Sequence, residues 1–176
     1  MVTQENYLDL VNVVNRIDSS QEELTSRVER LEAKYPDAGN RIFFKDQMWD
    51  ATSCIEEIIG KAEQSIILID NYVDKNTLDM LSRKRKGTAV SIHTTKRNCD
   101  LTEKEINDFK SQYGPLSIRY SDEFHDRFLI LDRKELYHIG SSIKDAGKKA
   151  FAISRNGEKT ILKTILEMLE TIKNKP

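Results

Sequence analysis

One stretch of the chain carries residues suited to chemistry on phosphorus. It runs His125-Asp126-Arg127-Phe128-Leu129-Ile130-Leu131-Asp132 and is followed by Gly140-Ser141-Ser142. On an extended strand, residues two apart project to the same side. His125 and Arg127 would then share one face, with Asp126, Phe128 and Ile130 on the other. An imidazole can serve as nucleophile or as acid and base near neutral pH. A guanidinium beside it can hold phosphate oxygens through two parallel hydrogen bonds. Gly-Ser-Ser at the end of a neighbouring strand would add amide and hydroxyl donors. The same residues would also suit an ordinary hairpin with an Arg–Asp ion pair and a half-buried histidine.

Other residues are weighed against plainer roles. Asp70, Asn71 and Tyr72 end the apolar run Ser65-Ile66-Ile67-Leu68-Ile69. Strand ends in open α/β sheets line ligand crevices, so these three are candidate substrate-binding residues; helix capping by Asp70 or Asn71 is the alternative. His138 shares a strand face with Gly140 and is either a neighbour of His125 or a packed histidine. His93 reads as structural. Lys144, Lys148 and Lys149 follow the Gly-Ser-Ser segment and would make a small anion-binding patch if they flank it. Arg83-Lys84-Arg85-Lys86 reads as the solvated, cationic end of a helix rather than a nucleic-acid contact.

The elements that must position these residues can be read from periodicity. Residues 41–49 suggest two short strands around a polar turn. Residues 51–63 form a helix with Ala51, Cys54, Ile55, Ile58, Ile59 and Ala62 on one face. The run 65–70 has the unbroken apolar character of a strand buried on both sides. A helix over 75–85 is capped by Asp74 or Asn76 and stopped at Gly87. A strand spans 88–94. Thr102 and Glu105 have capping-box spacing for a helix ending at Gly114-Pro115. Strands follow at 116–120, 128–131, 136–139 and 151–154, then a helix over 158–173. Strands alternating with helices, followed by a hairpin, predict an α/β domain with a mixed β-sheet flanked by helices.

Ahead of that body lies a different pattern. Tyr7, Leu10, Val14, Ile17, Gln21, Leu24, Val28, Leu31 and Tyr35 recur at alternating steps of three and four. This is a coiled-coil seam with Val14 and Val28 at one core position and Leu10, Leu24 and Leu31 at the other, a combination that favours two parallel strands. Arg27 could meet Glu32 of a partner helix. An amphipathic helix docked on its own domain is the alternative, kept alive by Val11 and Val13. Pro36 ends the helix. The expected organisation is a parallel dimeric coiled coil over 1–36, a linker over 37–41 and the α/β domain over 42–176.

Composition narrows the function classes. The 176 residues are 38% hydrophobic and 32% charged, with a net charge of −1, which excludes a bulk polyanion binder. That balance is a cancellation: residues 1–40 hold eight acidic and four basic side chains, and the remainder has a small basic excess. No apolar run reaches the ~18 residues of a membrane span, and the N-terminus has no secretory pattern. Cys54 and Cys99 make neither a disulfide framework nor a metal set. The expectation is a cytoplasmic protein with no cofactor, no metal and no membrane partner.

The pattern His-x-Arg-x4-Asp with a following Gly-Ser resembles the phospholipase D superfamily signature, His-x-Lys-x4-Asp then Gly-Ser-x-Asn. The phrase HDRFLILDRKELYHIGSSIKDAGKKAFAIS and the preceding SIILIDNYVD are similar to the C-terminal domain of phage-related proteins that often carry an N-terminal DNA-binding domain named after open reading frame six. The resemblance covers about residues 41–155. It implies that His125 attacks phosphorus and forms a phosphohistidine. Arg127 stands where the lysine binds phosphate, Ser141 supplies a phosphate-contacting hydroxyl and Asp132 is the motif acid. Ser142 and Lys144 would join the substrate-binding set. Only one motif is present, and single-motif members complete the site by dimerising. Arg127 departs from lysine and Ile143 from asparagine. Two readings result: a homodimeric phosphodiesterase, nuclease-like and acting on DNA or RNA, or a catalytically inactive dimerisation or anion- or nucleic-acid-binding module of a phage-related regulator.

Overall fold

The computed structural model describes residues 4–34 and 40–173. The chain divides into two compact units, Met1–Ala38 and Gly39–Pro176. The first contains one long helix, α1 (Gln4–Lys34). Val11, Val13, Val14, Ile17, Leu24 and Val28 are all exposed on it, so among the described residues its apolar stripe is uncovered. The side chains of Tyr7, Leu10, Leu31, Glu32 and Tyr35, together with Pro36 and linker residues 37–39, lie outside the described residues.

The second unit contains β1 (Asn40–Phe43), α2 (Met48–Lys61), β2 (Ser65–Ile69), α3 (Lys75–Leu81), β3 (Ala89–Thr94), α4 (Glu103–Tyr113) and β4 (Leu116–Tyr120). These are followed by β5 (Arg127–Leu131), β6 (Glu135–Ile139), β7 (Phe151–Asn156) and α5 (Lys159–Lys173). The seven strands form one mixed sheet in the order β1-β7-β6-β5-β2-β3-β4. β2, β3 and β4 run parallel, while β5 turns back against β2 and the remaining pairs are antiparallel.

Period-two alternation sends the two faces of the sheet into separate cores. On one face Ile66, Leu68, Val90, Ile92, Leu129 and Leu131 pack against Ala51, Ile55 and Ile59 of α2, Leu78 and Leu81 of α3 and Phe109 of α4. On the other, Ile67, Ile69, Ile130 and Leu136 pack against Leu162, Ile165 and Leu169 of α5. β2 is therefore buried on both sides, as its unbroken apolar run predicts. Thr102 and Glu105 make the expected capping box, and Asp74 caps α3 by accepting from the Thr77 amide.

Two elements differ from expectation: α3 ends at Leu81 rather than at 85, with Ser82 as its C-cap, and the segment 41–49 is not two strands. Residues 41–49 hold a single strand, because Asp46 turns the chain at a φ of 73°. Gln47 Oε1 then accepts the Phe44 amide at 2.7 Å, and α2 begins at Met48. Gly147 seals this turn from above. Its carbonyl accepts the Asp46 amide at 3.1 Å, and a Cβ at 147 would lie 2.5 Å from the Met48 Cα.

In the basic run 83–86, Arg83, Arg85 and Lys86 are exposed as expected of a solvated end, but Lys84 is not. Lys84 is 8% exposed and donates to the Tyr113 carbonyl at 2.6 Å. Arg83 pairs with Glu56, and Arg85 reaches Glu63 and the Gly60 carbonyl. These cations tie the turn that follows α3 to α2, to Glu63 beyond it and to the end of α4.

Candidate functional site

The site residues gather where the parallel strand β2 ends and the antiparallel strand β5 begins. Ile69 pairs with Phe128, so Asp70 and Arg127 continue past that pair on adjacent chains. Strand β5 starts at Arg127, and His125 lies in a bend before it. The shared strand face expected for His125 and Arg127 is therefore absent. His125 is instead held by its neighbours. Phe124 is 9% exposed and seated in the α5 core, edge-on to Phe128 at a centroid distance of 6.4 Å. Asn71 Nδ2 donates to the Phe124 carbonyl at 2.7 Å. His125 thus sits exposed between two anchored positions.

Asp70 has 0% exposure. It accepts the Tyr72 amide at 3.0 Å, the Ser142 hydroxyl at 2.8 Å and the Ile143 amide at 3.0 Å. It was expected to touch substrate directly; buried beneath the surface, it instead fastens the end of β2 to the 140–147 loop. Burial pushes its carboxyl above the ordinary carboxylate value, against the opposing pull of those hydrogen bonds and of Arg127. The Ser142 hydroxyl also faces the Tyr72 carbonyl at 2.9 Å. With one proton it can serve only one of the two acceptors. Ser142 is 6% exposed, so it too is a structural tie.

Arg127 is the unfinished part of this network. Its Nε is 4.0 Å from Asp70 Oδ1, beyond hydrogen-bond reach. That nitrogen is buried and has no hydrogen-bond partner. The guanidinium carbon lies 5.9 Å from the centre of the Tyr72 ring, and Tyr72 is 43% exposed. A buried, unpaired donor is costly; the Arg127 side chain as a whole is 26% exposed, so an oxyanion would meet the outer N–H groups of its guanidinium.

The remaining candidates divide. Ser141 is half-buried, with its hydroxyl 3.3 Å from the Ser142 carbonyl. Lys144 is drawn to Asp74 at 3.6 Å and Lys148 to Asp145 at 2.6 Å, which leaves little of the expected basic patch. His138 pairs in register with Phe128, on the face opposite Arg127, and its Nε2 lies 3.8 Å from Asp126 Oδ1. Asp132 is not among the gathered residues, because it lies at the far end of β5. Its carboxylate accepts the amides of Glu63, Gln64 and Ser65 at 3.0, 2.7 and 2.8 Å. Burial alone would raise its pKa, but these three amides outweigh it and hold the carboxyl below the ordinary value. Asp132 and Arg133 both take positive φ, the mirror-image turn that suits hairpin twist. Phe124 and Asp126 were not singled out from sequence. The only signal for Phe124 was an aromatic flanking the motif histidine.

Among the described residues, no group of three or more His, Cys, Asp or Glu side chains is placed to hold a metal ion. No helix among them is long and apolar enough to cross a membrane.

No family model matches the chain, and no curated protein is similar to it in sequence. Solved structures are similar in fold. Nuc, a phospholipase D family member from Salmonella typhimurium, superposes with a TM-score of 0.56 at 18% identity, covering 77% of this chain and 93% of that one. NucT from Helicobacter pylori gives 0.55 at 11% identity, over 76% of this chain and 94% of that one. Polyphosphate kinase from Porphyromonas gingivalis gives 0.52 at 10% identity, over 78% of this chain and 26% of the kinase. The second unit therefore has the mixed α/β fold of phospholipase D-like proteins, and a long helix precedes it.

Proposed function

We propose that the protein is a phosphodiesterase of the phospholipase D type, acting on nucleic acid as a homodimer with one site built from two copies. The observation that carries this reading is the buried, unpartnered Nε of Arg127, beside Tyr72 and one residue removed from the anchored, exposed His125. Arg127 holds the phosphate. A ring nitrogen of His125 attacks phosphorus, and the bond from phosphorus to the leaving oxygen breaks. His125 of the second copy donates a proton to that oxygen. Water then attacks the phosphohistidine, giving its proton to the same second histidine, and the P–N bond breaks. Ser141 gives its hydroxyl to a phosphate oxygen. Asn71 positions the His125 loop, and Asp70 and Ser142 position the floor beneath Arg127. The exposed stripe of α1 supplies the parallel pairing that brings two copies together.

Sedimentation should give a dimer. A phosphodiester assay with chelator present should give turnover in the wild type and a loss of a thousandfold or more in His125→Ala.

A second reading is favoured by Ile143, which stands where the signature has asparagine. It is fully buried and gives its amide to Asp70, so it offers substrate no side-chain donor. On that reading the site binds a phosphate-bearing ligand without turning it over. Equal background rates in wild type and His125→Ala, with phosphate binding lost only in Arg127→Ala, would select it.

A further inference from the structure

The sheet face packed by α5 is not covered across its full width. α5 lies over β2, β5 and β6 through Leu162, Ile165 and Leu169. Beside it, β3 and β4 present two rows to the same side: Ser91 beside Ser117, and His93 beside Arg119. The residues nearest the strand starts, Ser65 and Ala89, are small as well. Small side chains next to a helix leave a trough, and here it measures about 680 Å³ between α5 and β4. That is within the range of small-molecule sites, roughly 300–1,000 Å³. It is on the opposite face from Arg127 and Asp70.

Three features of the trough point to a ligand. Lys110 and Arg119 line it, both exposed and neither in an ion pair among the described residues. The nearby Arg133 is held by Glu170 at 3.3 Å, so the unpaired charge belongs to Lys110 and Arg119. His93 is 7% exposed with Nε2 3.3 Å from the Ser91 hydroxyl, while its Nδ1 is buried with no hydrogen-bond partner. Burial, reinforced by Arg119, keeps this imidazole neutral, so one ring nitrogen can accept a hydrogen bond. The lining is mainly apolar, with Pro115, Leu116 and Leu169 beside the hydroxyls of Ser91 and Ser117, a mixture that suits the face and the polar edge of a ring.

We propose that this trough binds an anionic, ring-bearing small molecule of nucleotide size. Lys110 and Arg119 hold its charge, and its ring lies over Ser91 and Ser117 against Leu169. The proposal is independent of the phosphodiesterase reading, since none of its residues belongs to the Arg127 site.

Adenosine monophosphate is a suitable probe, titrated into the full chain with amide chemical shifts as the readout. The expected result is a saturable set of shifts in β3, β4 and the second half of α5. Binding there should weaken at least tenfold in the double variant Lys110→Glu, Arg119→Glu, and also in Ser117→Trp, which fills the floor. In Arg127→Ala it should stay within twofold of wild type. Adenosine and inorganic phosphate alone should each bind more weakly than the nucleotide. The proposal is overturned if shifts fail to saturate in the millimolar range, if they are confined to the surroundings of Tyr72 and Arg127, or if the double variant binds as the wild type does.

Discussion

Asp132 separates a motif residue's structural work from its chemistry. At ~3.4 Å per residue, the five steps along β5 put it about 17 Å from Arg127. Its carboxylate closes the α2–β2 connection through three amides, of which Ser65 is half-buried and Glu63 and Gln64 face solvent. A hydrogen bond to a charged group contributes about 1.5–3 kcal/mol when shielded, and an exposed one roughly 0.5. Removing all three in Asp132→Ala therefore costs about 3 kcal/mol. A further ~1 kcal/mol arises because alanine tolerates the left-handed φ of 51° less well than aspartate does. Asp132→Asn keeps the turn and one acceptor oxygen, and should cost about 1–2 kcal/mol. At about 4 °C per kcal/mol for a unit of this size, the melting temperature falls by roughly 15 °C in the first variant and 5 °C in the second. The sign with pH follows from the lowered carboxyl. Its contribution is complete above the ordinary value of 3.8 and is lost as pH falls through the folded value, so the gap to wild type narrows in acid, with the backbone cost of alanine remaining. Thermal unfolding by circular dichroism at pH 7 and pH 3 measures both. An Asp132→Ala melting temperature within a degree of wild type would refute the argument. So would Asp132→Asn abolishing turnover or phosphate binding while melting normally, since that would place the carboxylate in the site.

Three further outcomes are expected. The His93 ring, held near pH 4 by burial, should stay neutral to below pH 5 in an NMR titration. Because the unfolded chain takes up that proton near 6.5 and the folded one does not, stability should fall by on the order of 3 kcal/mol from pH 6.5 to 4. His93→Gln should flatten that slope, and a ring titrating at 6.5 in the folded protein would contradict it. Gly147→Ala forces a Cβ onto the Met48 backbone at a φ of +78°, so its urea midpoint should drop by the equivalent of at least ~2 kcal/mol. Asn71→Ala releases the Phe124 carbonyl, and amide exchange over residues 121–126 should rise severalfold while that of β2 holds steady. Unchanged exchange in that loop would mean His125 is anchored by something else.

Much of the second unit was legible because its signals are local. Capping by Thr102 and Glu105, the stop at Gly114-Pro115 and the unbroken run of β2 each depend on residues a few positions apart. The segment 41–49 misled because its two apolar groups, Ile42-Phe43-Phe44 and Met48-Trp49, look alike. What distinguishes them is the Gln47 side chain bonding to the Phe44 amide, a contact that apolar spacing does not encode. At the site, the pattern identified polar residues at a strand end but not which way each polar atom faces. Asp70 and Ser142 turn inward, and Lys144 is spent on Asp74. Lys84 departs from the otherwise solvated run 83–86 for a related reason. The partners of Lys84 and Arg85, the Tyr113 and Gly60 carbonyls, are more than twenty residues away in sequence. Asp132 likewise finds amides almost seventy residues earlier.

The pairing of β1 with β7, Ile42 opposite Ala152, has a consequence for how the chain comes to be folded. The first and last strands of the unit are partners more than a hundred residues apart, so closing that loop is entropically the most demanding step in the sheet. During synthesis the β2–β3–β4 half can assemble early, since its strands follow one another. β1 must wait, with Phe43 uncovered, until β7 brings Phe151 against it. Any chain truncated before residue 151 should retain an open apolar edge, and such fragments should be prone to aggregate even though the parallel half of the sheet is intact.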